Sequence, residues 1–120
     1  MSMYGLIIED DQDLSEIFSQ ALSAAGYQTD IVNDGLVAEE KLKQVVPSIV
    51  ILDMHLPNKS GNVLLKQIRD DARLAKTRVV VATADAQMGD EMRGHVDLVL
   101  IKPISFTQLR DLSARFIPKE

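Results

Sequence analysis

The sequence predicts an α/β fold in which helices cover both faces of a five-stranded parallel sheet. Four short apolar runs, none of them alternating with polar residues, lie at positions 6–8, 49–52, 79–82 and 98–101. Such runs are typical of strands buried on both faces, as in parallel sheets. A further strand is predicted at 27–32, and helical patterns lie between the strands. This alternation indicates a three-layer sandwich around the sheet.

The first three helices show the spacing of amphipathic segments. Their apolar positions are Leu14, Ile17, Phe18, Ala21, Leu22 and Ala25 in the first, Ala38, Leu42 and Val45 in the second, and Leu64, Leu65 and Ile68 in the third. Gly26 lies where a left-handed C-cap would end the first helix. Pro47 terminates the second, because the residue before a proline avoids the helical conformation. The third is expected to begin near Ser60.

The last helix has a clear start, whereas the one before it does not. Ser105 is the predicted N-cap, with Gln108 three residues later, and Ile104 before the cap can pack on Leu109. Between Thr83 and Lys102 only two methionines, Met88 and Met92, indicate a helix. Gly89 and Gly94 weaken that pattern, because glycine is a poor helix former.

Composition limits the classes of protein to which the chain can belong. Its 120 residues, 46% of them hydrophobic, are enough for one domain, predicted at 1–120 with no room for an effector domain. The absence of cysteine excludes disulfides and thiolate metal sites and favours a cytoplasmic location. No apolar stretch approaches a membrane span. With a net charge of -5 and no basic stripe, direct nucleic-acid binding is not expected.

Polar residues follow the buried strands at one predicted edge of the sheet. These residues are Glu9 and Asp10, Asp53, Thr83 and Lys102. Because the carboxyl ends of parallel strands gather functional groups, we expect all five to converge. Carboxylates so close together raise one another's pKa unless a cation neutralises them. Oxygen ligands without cysteine or paired histidine select Mg²⁺, with Mn²⁺ able to substitute.

The remaining groups suit phosphoryl chemistry. Lys102 supplies a cation for phosphoryl oxygens, and the Thr83 hydroxyl can donate to another. Asp53 ends the central strand, and we assign it as the nucleophile. A carboxylate that attacks phosphorus forms an aspartyl phosphate.

The motifs together resemble the receiver domain of two-component response regulators over essentially the whole chain. The matching segments are residues 6–11, residues 51–57 with Gly61, Thr83-Ala84 and Lys102-Pro103. The resemblance implies a flavodoxin-like fold with five helices and a parallel sheet of strand order 2-1-3-4-5. It also implies a cis peptide bond before Pro103.

The resemblance further implies the role of each site residue. Asp53 is the phosphoacceptor, Asp10 binds Mg²⁺ directly and Glu9 acts through water, while the backbone carbonyl of His55 completes the metal shell. Thr83 is the switch hydroxyl and Lys102 contacts the phosphoryl group. The chain then catalyses only its own phosphorylation and dephosphorylation, and is a signalling protein and not an enzyme.

The implied partners are those of a phosphorelay. A histidine kinase or a histidine phosphotransfer protein supplies the phosphoryl group, and an output partner that the sequence does not identify reads the result. No nucleic acid or membrane is expected to bind directly. The oligomeric state is open, with a homodimer as one alternative.

Two features depart from the usual receiver pattern. Val99 stands where the family usually has an aromatic residue that swings inward when the Thr83 hydroxyl engages the phosphate. The segment from Thr83 to Lys102 is shorter than in typical receivers by about one helical turn. The fourth helix is therefore predicted to be short or irregular, and the signal is expected to travel mainly through Thr83 and its loop.

Two other functions stay open at this point. A Mg²⁺-dependent phosphatase also uses an aspartate nucleophile, but it usually has a second aspartate two residues later, where this chain has His55. A degenerate receiver-like module would bind partners without being phosphorylated. Loss of an acid, of Thr83 or of Lys102 would have favoured that alternative; none is lost, although Val99 keeps it open.

Overall fold

Five parallel strands form the centre of the molecule, which is seen in a computed structural model that describes residues 3–118. The strands are β1 (Met3–Ile8), β2 (Tyr27–Val32), β3 (Ile49–Asp53), β4 (Arg78–Thr83) and β5 (Leu98–Ile101). They lie in the order β2-β1-β3-β4-β5, with every neighbouring pair parallel. The predicted fold class and strand order are confirmed.

Helices cover both faces of the sheet. They are α1 (Gln12–Ala25), α2 (Gly35–Gln44), α3 (Gly61–Asp70), α4 (Ala86–Met92) and α5 (Phe106–Ala114), with a short 3-10 turn at Ala72–Leu74. One core packs residues of α1 and α5, such as Phe18 and Leu109, against the sheet. The other packs α2, α3 and α4 on the opposite face. Burial of these two apolar faces is what holds the three layers together.

The helix ends follow the predicted capping residues. Gly26 has a φ of 115° at the end of α1, a left-handed conformation that glycine adopts without strain. The Ser60 and Ser105 hydroxyls accept from backbone N–H groups in the first turns of α3 and α5. Within residues 3–118, none of the helices has the length and apolar character needed to cross a bilayer.

The fourth helix is short, as predicted, and the structure shows why glycine is found in it. A Cβ atom added to Gly89 would lie 2.9 Å from Val99 Cγ1 and 3.0 Å from Ile101 Cδ1. The glycine therefore lets α4 approach β5 closely at the cost of local helix propensity. Val99 is buried in the core beneath α4.

Strand register brings the polar strand ends to one edge. Ile8 pairs with Leu52, Asp53 with Ala82, and Thr83 with Ile101. Each predicted site residue is therefore either paired with a residue of the neighbouring strand or lies within two residues of such a pair. The carboxyl edge of the sheet carries the whole candidate site.

Candidate functional site

Three carboxylates meet at the carboxyl ends of β1 and β3. Glu9, Asp10 and Asp53 each offer one oxygen, and these oxygens all lie within 4.8 Å of one another. Glu9 and Asp53 are 1% and 3% exposed, whereas Asp10 is open to solvent. Two buried carboxyl groups and one exposed carboxyl group therefore share one small volume.

The ammonium group of Lys102 enters this cluster from the end of β5. Its Nζ lies 2.6 Å from Glu9 Oε1 and 3.7 Å from Asp53 Oδ1. Its backbone N–H donates to the Thr83 carbonyl at 2.8 Å, which extends the pairing of β4 with β5 past the strand end. The Lys102–Pro103 peptide bond is cis, in agreement with the resemblance.

Burial controls the electrostatics of the two inner carboxylates. It raises the pKa of Glu9 to about 7, although the hydrogen bond from Lys102 opposes the change, and the nearby charge of Asp53 adds to it. Burial also raises the pKa of Asp53, against the hydrogen bond that the His55 N–H donates to it. One lysine does not fully compensate this group of acids. An all-oxygen donor set of this kind fits Mg²⁺.

Thr83 is fully buried at the end of β4, and its hydroxyl organises the loop that follows. Its Oγ1 accepts a hydrogen bond from the backbone N–H of Asp85 at 3.1 Å. Asp85 in turn is the N-cap of α4, accepting from the Met88 N–H at 3.1 Å. A change in the partner of the Thr83 hydroxyl would therefore act on the start of α4.

The other predicted ligand, His55, follows Asp53 by two residues and is exposed. Its backbone N–H donates to Asp53 Oδ1 at 3.1 Å. On the β1 side, the Asp11 N–H donates to Glu9 Oε2 at 3.2 Å, and the Asp11 side chain caps α1. Backbone amides thus orient the two buried carboxylates.

Contacts between the start of α2 and the loop after Asp53 were not predicted. They join Asp34 and Glu39 to Asn58 and Lys59, which are 20 or more positions away. The Asp34-Gly35 pair at the start of α2 was a signal for an N-cap, but nothing in the local pattern indicated what it would contact. These residues lie beside the site and support its loop.

Comparison with known proteins identifies the family. Residues 6–114 match the family described as response regulator receiver domain. The chain belongs to this family. The receiver domain matched is that of a signalling protein, and domains of this kind interact with histidine kinases and phosphotransfer proteins. Neither the phosphatase nor the degenerate module is favoured by the match.

Individual relatives agree with this assignment. The polar-differentiation response regulator DivK of Brucella ovis is 33% identical over 103 residues, which cover 83% of this chain and 84% of the relative. A CheY-like receiver domain from Methylobacillus flagellatus has a TM-score of 0.86 at 28% identity, covering 98% of this chain and all of the other.

A third relative shares the fold. The receiver domain of sensor histidine kinase PA1611 from Pseudomonas aeruginosa, solved with a magnesium ion in its active site cleft, has a TM-score of 0.85 at 22% identity. That match covers 97% of this chain and 98% of the other. Receiver domains with distant sequences thus keep the architecture described above.

Proposed function

We propose that this receiver domain takes a phosphoryl group onto Asp53 from a histidine kinase or a histidine phosphotransfer protein and changes conformation as a result. The observation that carries the proposal is the position of Asp53. Its carboxylate is buried at the end of the central strand, within 4.8 Å of two other acids and 3.7 Å from the Lys102 ammonium. A buried nucleophile beside two further acids and a cation suits phosphoryl transfer.

The acidic cluster would hold Mg²⁺ through Glu9, Asp10, Asp53 and the backbone carbonyl of His55, with Mn²⁺ as a substitute. When bound, the metal would neutralise negative charge on the transferring phosphoryl group. Support comes from the donor set, which is all oxygen, and from the crowding of carboxylates that one lysine only partly offsets.

The protein's own groups then account for the transfer. An Asp53 oxygen attacks phosphorus, the P–N bond of the donor phosphohistidine breaks, and the imidazole nitrogen keeps the bonding electrons. Lys102 moves from Glu9 to a phosphoryl oxygen, and the Thr83 hydroxyl donates to another. Hydrolysis by water later restores the Asp53 carboxylate and releases inorganic phosphate, so that only the chain itself is modified.

The switch in this chain works without the usual aromatic residue. Val99 is buried against α4, where its short side chain has no ring to swing between two positions. Thr83 is better placed to pass on the signal, since its hydroxyl holds the Asp85 N–H in the free protein. Once the hydroxyl donates to phosphate, the start of α4 is expected to shift.

Amide exchange tests this route directly. With beryllium fluoride as the phosphate mimic, we expect changed exchange and chemical shifts between Ala84 and Pro103 in the parent and much smaller changes in Thr83→Val. If that segment is unchanged in the parent while Asp53 responds, the signal leaves the site by another path.

Phosphorylation itself is tested with acetyl phosphate and Mg²⁺, followed by intact-mass measurement. The parent should gain one phosphoryl group and Asp53→Asn none, while Asp13→Asn serves as the matched control because Asp13 is an exposed acid in the first turn of α1. A parent that gains no mass, and whose melting temperature does not rise with Mg²⁺, would support the degenerate module instead.

The same proposal includes the setting of the protein. Residues 1–120 are taken as a single receiver domain that acts in the cytoplasm. Its output partner is expected to recognise the surface near α4, because that is where the Thr83 loop leads.

A further inference from the structure

We propose that the N-terminus of α2 is a clamp that positions the loop after the phosphoacceptor, and that Gly35 is its central positioning residue. The clamp is defined by Asp34, Gly35 and Glu39, and the loop by residues 54–60. This inference rests on the proposed function, because its consequence is the placement of the His55 carbonyl as a metal ligand.

Three contacts tie the far end of the loop to α2. The Gly35 N–H donates to the Pro57 carbonyl at 3.0 Å. The Asn58 side-chain amide donates to the Asp34 carboxylate, and the Lys59 ammonium pairs with Glu39. Since they combine a backbone hydrogen bond, a side-chain hydrogen bond and an ion pair, these contacts fix both the position and the direction of the loop.

Glu39 is itself held in place from the opposite side. Gln67 of α3 donates to the same carboxylate oxygen, Oε2, at 2.7 Å. Hydrogen bonding by Lys59 and then by Gln67 lowers the pKa of Glu39, which shows that both contacts favour its ionised form. The clamp is therefore attached to two helices of the same layer.

Gly35 allows the loop backbone to lie directly on α2. A Cβ atom at this position would lie 2.6 Å from Lys59 Cβ and 2.7 Å from the Lys59 carbonyl carbon, and closer still to its oxygen. Two of these atoms belong to the backbone, so the loop and the first turn of α2 would have to move apart to make room. Gly35 is the first residue of α2, so the cost of alanine there arises from this contact and not from the helix itself.

The near end of the loop is held with equal closeness. A Cβ atom at Gly61 would lie 2.6 Å from the Asp53 carbonyl oxygen and 2.7 Å from Met54 Cα. His55 lies between the two held ends, and its N–H reaches back to Asp53 Oδ1. With the near end fixed, a displacement of the loop at Lys59 and Pro57 is expected to reach the short stretch that contains His55.

The test compares three glycine-to-alanine variants in Mg²⁺ affinity, measured by calorimetry, and in the amide shift of His55. Gly35→Ala should weaken Mg²⁺ binding about tenfold, as loss of a group that orients a ligand typically does. It should also move the His55 amide resonance before any metal is added. At high Mg²⁺, phosphorylation of Asp53 by acetyl phosphate should recover.

Gly94→Ala and Gly5→Ala are the controls. A Cβ at Gly94 would meet nothing within 4 Å, so this variant should match the parent. At Gly5 it would lie 2.7 Å from Leu22 Cδ2, which destabilises the fold about 13 Å from the site along β1. If Gly5→Ala loses as much Mg²⁺ affinity as Gly35→Ala, or if Gly35→Ala binds like the parent, the clamp has no positioning role.

A second variant covers failure of Gly35→Ala to fold. Lys59→Gln removes the ion pair with Glu39. It should lower the affinity for Mg²⁺, but by less than Gly35→Ala does. Lys66→Gln, on the exposed face of α3, is the control. An affinity equal to the parent's would overturn the inference. Absence of Mg²⁺ binding and phosphorylation in the parent itself would instead overturn the proposed function, so the two failures are distinguishable.

Discussion

Lys102 lies closer to Glu9 than to Asp53: its Nζ is 2.6 Å from Glu9 Oε1 and 3.7 Å from Asp53 Oδ1. The ammonium group therefore lies beside the oxygens that we propose as Mg²⁺ ligands. It neutralises a buried acid that would otherwise be costly to ionise. The same ammonium competes with any cation that approaches those oxygens.

Replacing Lys102 with methionine should strengthen Mg²⁺ binding while slowing phosphorylation. Removal of a unit positive charge about 4 Å from a divalent ion contributes about 2 kcal/mol even with full solvent screening, or about thirtyfold in affinity. Calorimetry and the rate of mass gain with acetyl phosphate measure the two effects, with Lys66→Met as the exposed control. Weaker Mg²⁺ binding in Lys102→Met would show that the lysine supports the metal site.

The stability of the metal-free protein should fall as pH rises from about 5 to about 7.5. The folded protein keeps a proton on Glu9 up to its raised pKa of about 7, whereas in the unfolded chain the group ionises near 4.5. Between these values the folded state binds more protons, so that raising the pH favours unfolding. Asp53, whose pKa is also raised, adds to the trend.

Melting temperatures measured in EDTA at several pH values give the slope of stability against pH. Glu9→Gln should flatten it, and Glu16→Gln, at an exposed position of α1, should not. Mg²⁺ should stabilise the parent more at pH 7.5 than at pH 5, because its ligands must lose their protons. A slope that Glu9→Gln leaves unchanged would assign the titration to other groups.

Gly89 and Val99 should be energetically coupled. Gly89→Ala places a methyl group 2.9 Å from Val99 Cγ1 and is expected to destabilise the protein by about 1 kcal/mol or more. Val99→Ala leaves a space that the new methyl group can partly fill. The double variant should therefore be more stable, by about 1 kcal/mol, than the sum of the two single-variant changes in unfolding free energy predicts. Urea unfolding measures the cycle, and a Gly94→Ala/Val99→Ala cycle should be additive.

Asp97 should stabilise the fold at neutral pH and lose that effect in acid. Burial alone would raise its pKa, but hydrogen bonds from the Val79 N–H at 2.8 Å and from Arg78 and Arg69 outweigh burial and lower the pKa. A folded-state pKa below the unfolded value stabilises above the unfolded pKa, and the contribution disappears as pH falls through the folded value.

Asp97→Asn should therefore lower the free energy of unfolding by about 2 kcal/mol at pH 7, which is in the range for hydrogen bonds to charged groups. The difference from the parent in urea unfolding should narrow as the pH is lowered from 7 toward 3. Asp90→Asn, at an exposed position of α4, is the control. If Asp97→Asn lowers the unfolding free energy equally at every pH in this range, the charge of Asp97 contributes nothing to stability.

Sequence reasoning predicted the features that depend on strand ends and helix caps. Glu9, Asp53 and Lys102 follow uninterrupted apolar runs, and parallel strands buried on both faces bring such ends to one edge. Gly26 and Ser105 are local signals that act through their own backbone or hydroxyl group. Each signal lies in residues close in sequence, and the geometry of a parallel sheet then brings the strand ends together, which is why these features could be predicted.

The remaining features depend on contacts between distant segments. Gly89 counted against a helix by propensity, yet the packing of α4 on β5 requires it. The pairing of Lys59 with Glu39 joins residues of average composition across 20 positions, without a periodic pattern to indicate it. Likewise, Lys102 lies closer to Glu9 than to Asp53 by about an ångström, and no spacing rule predicts so small a difference.

The ion pair between Glu9 and Lys102 spans 93 residues and joins the first strand to the last. Closing so long a loop has a high entropic cost and is favourable only once the intervening strands have paired. A partly folded chain that lacks β5 therefore has the acids but not the lysine. A chain in which the last strand is not in place should therefore take up the phosphoryl group on Asp53 more slowly than the complete fold.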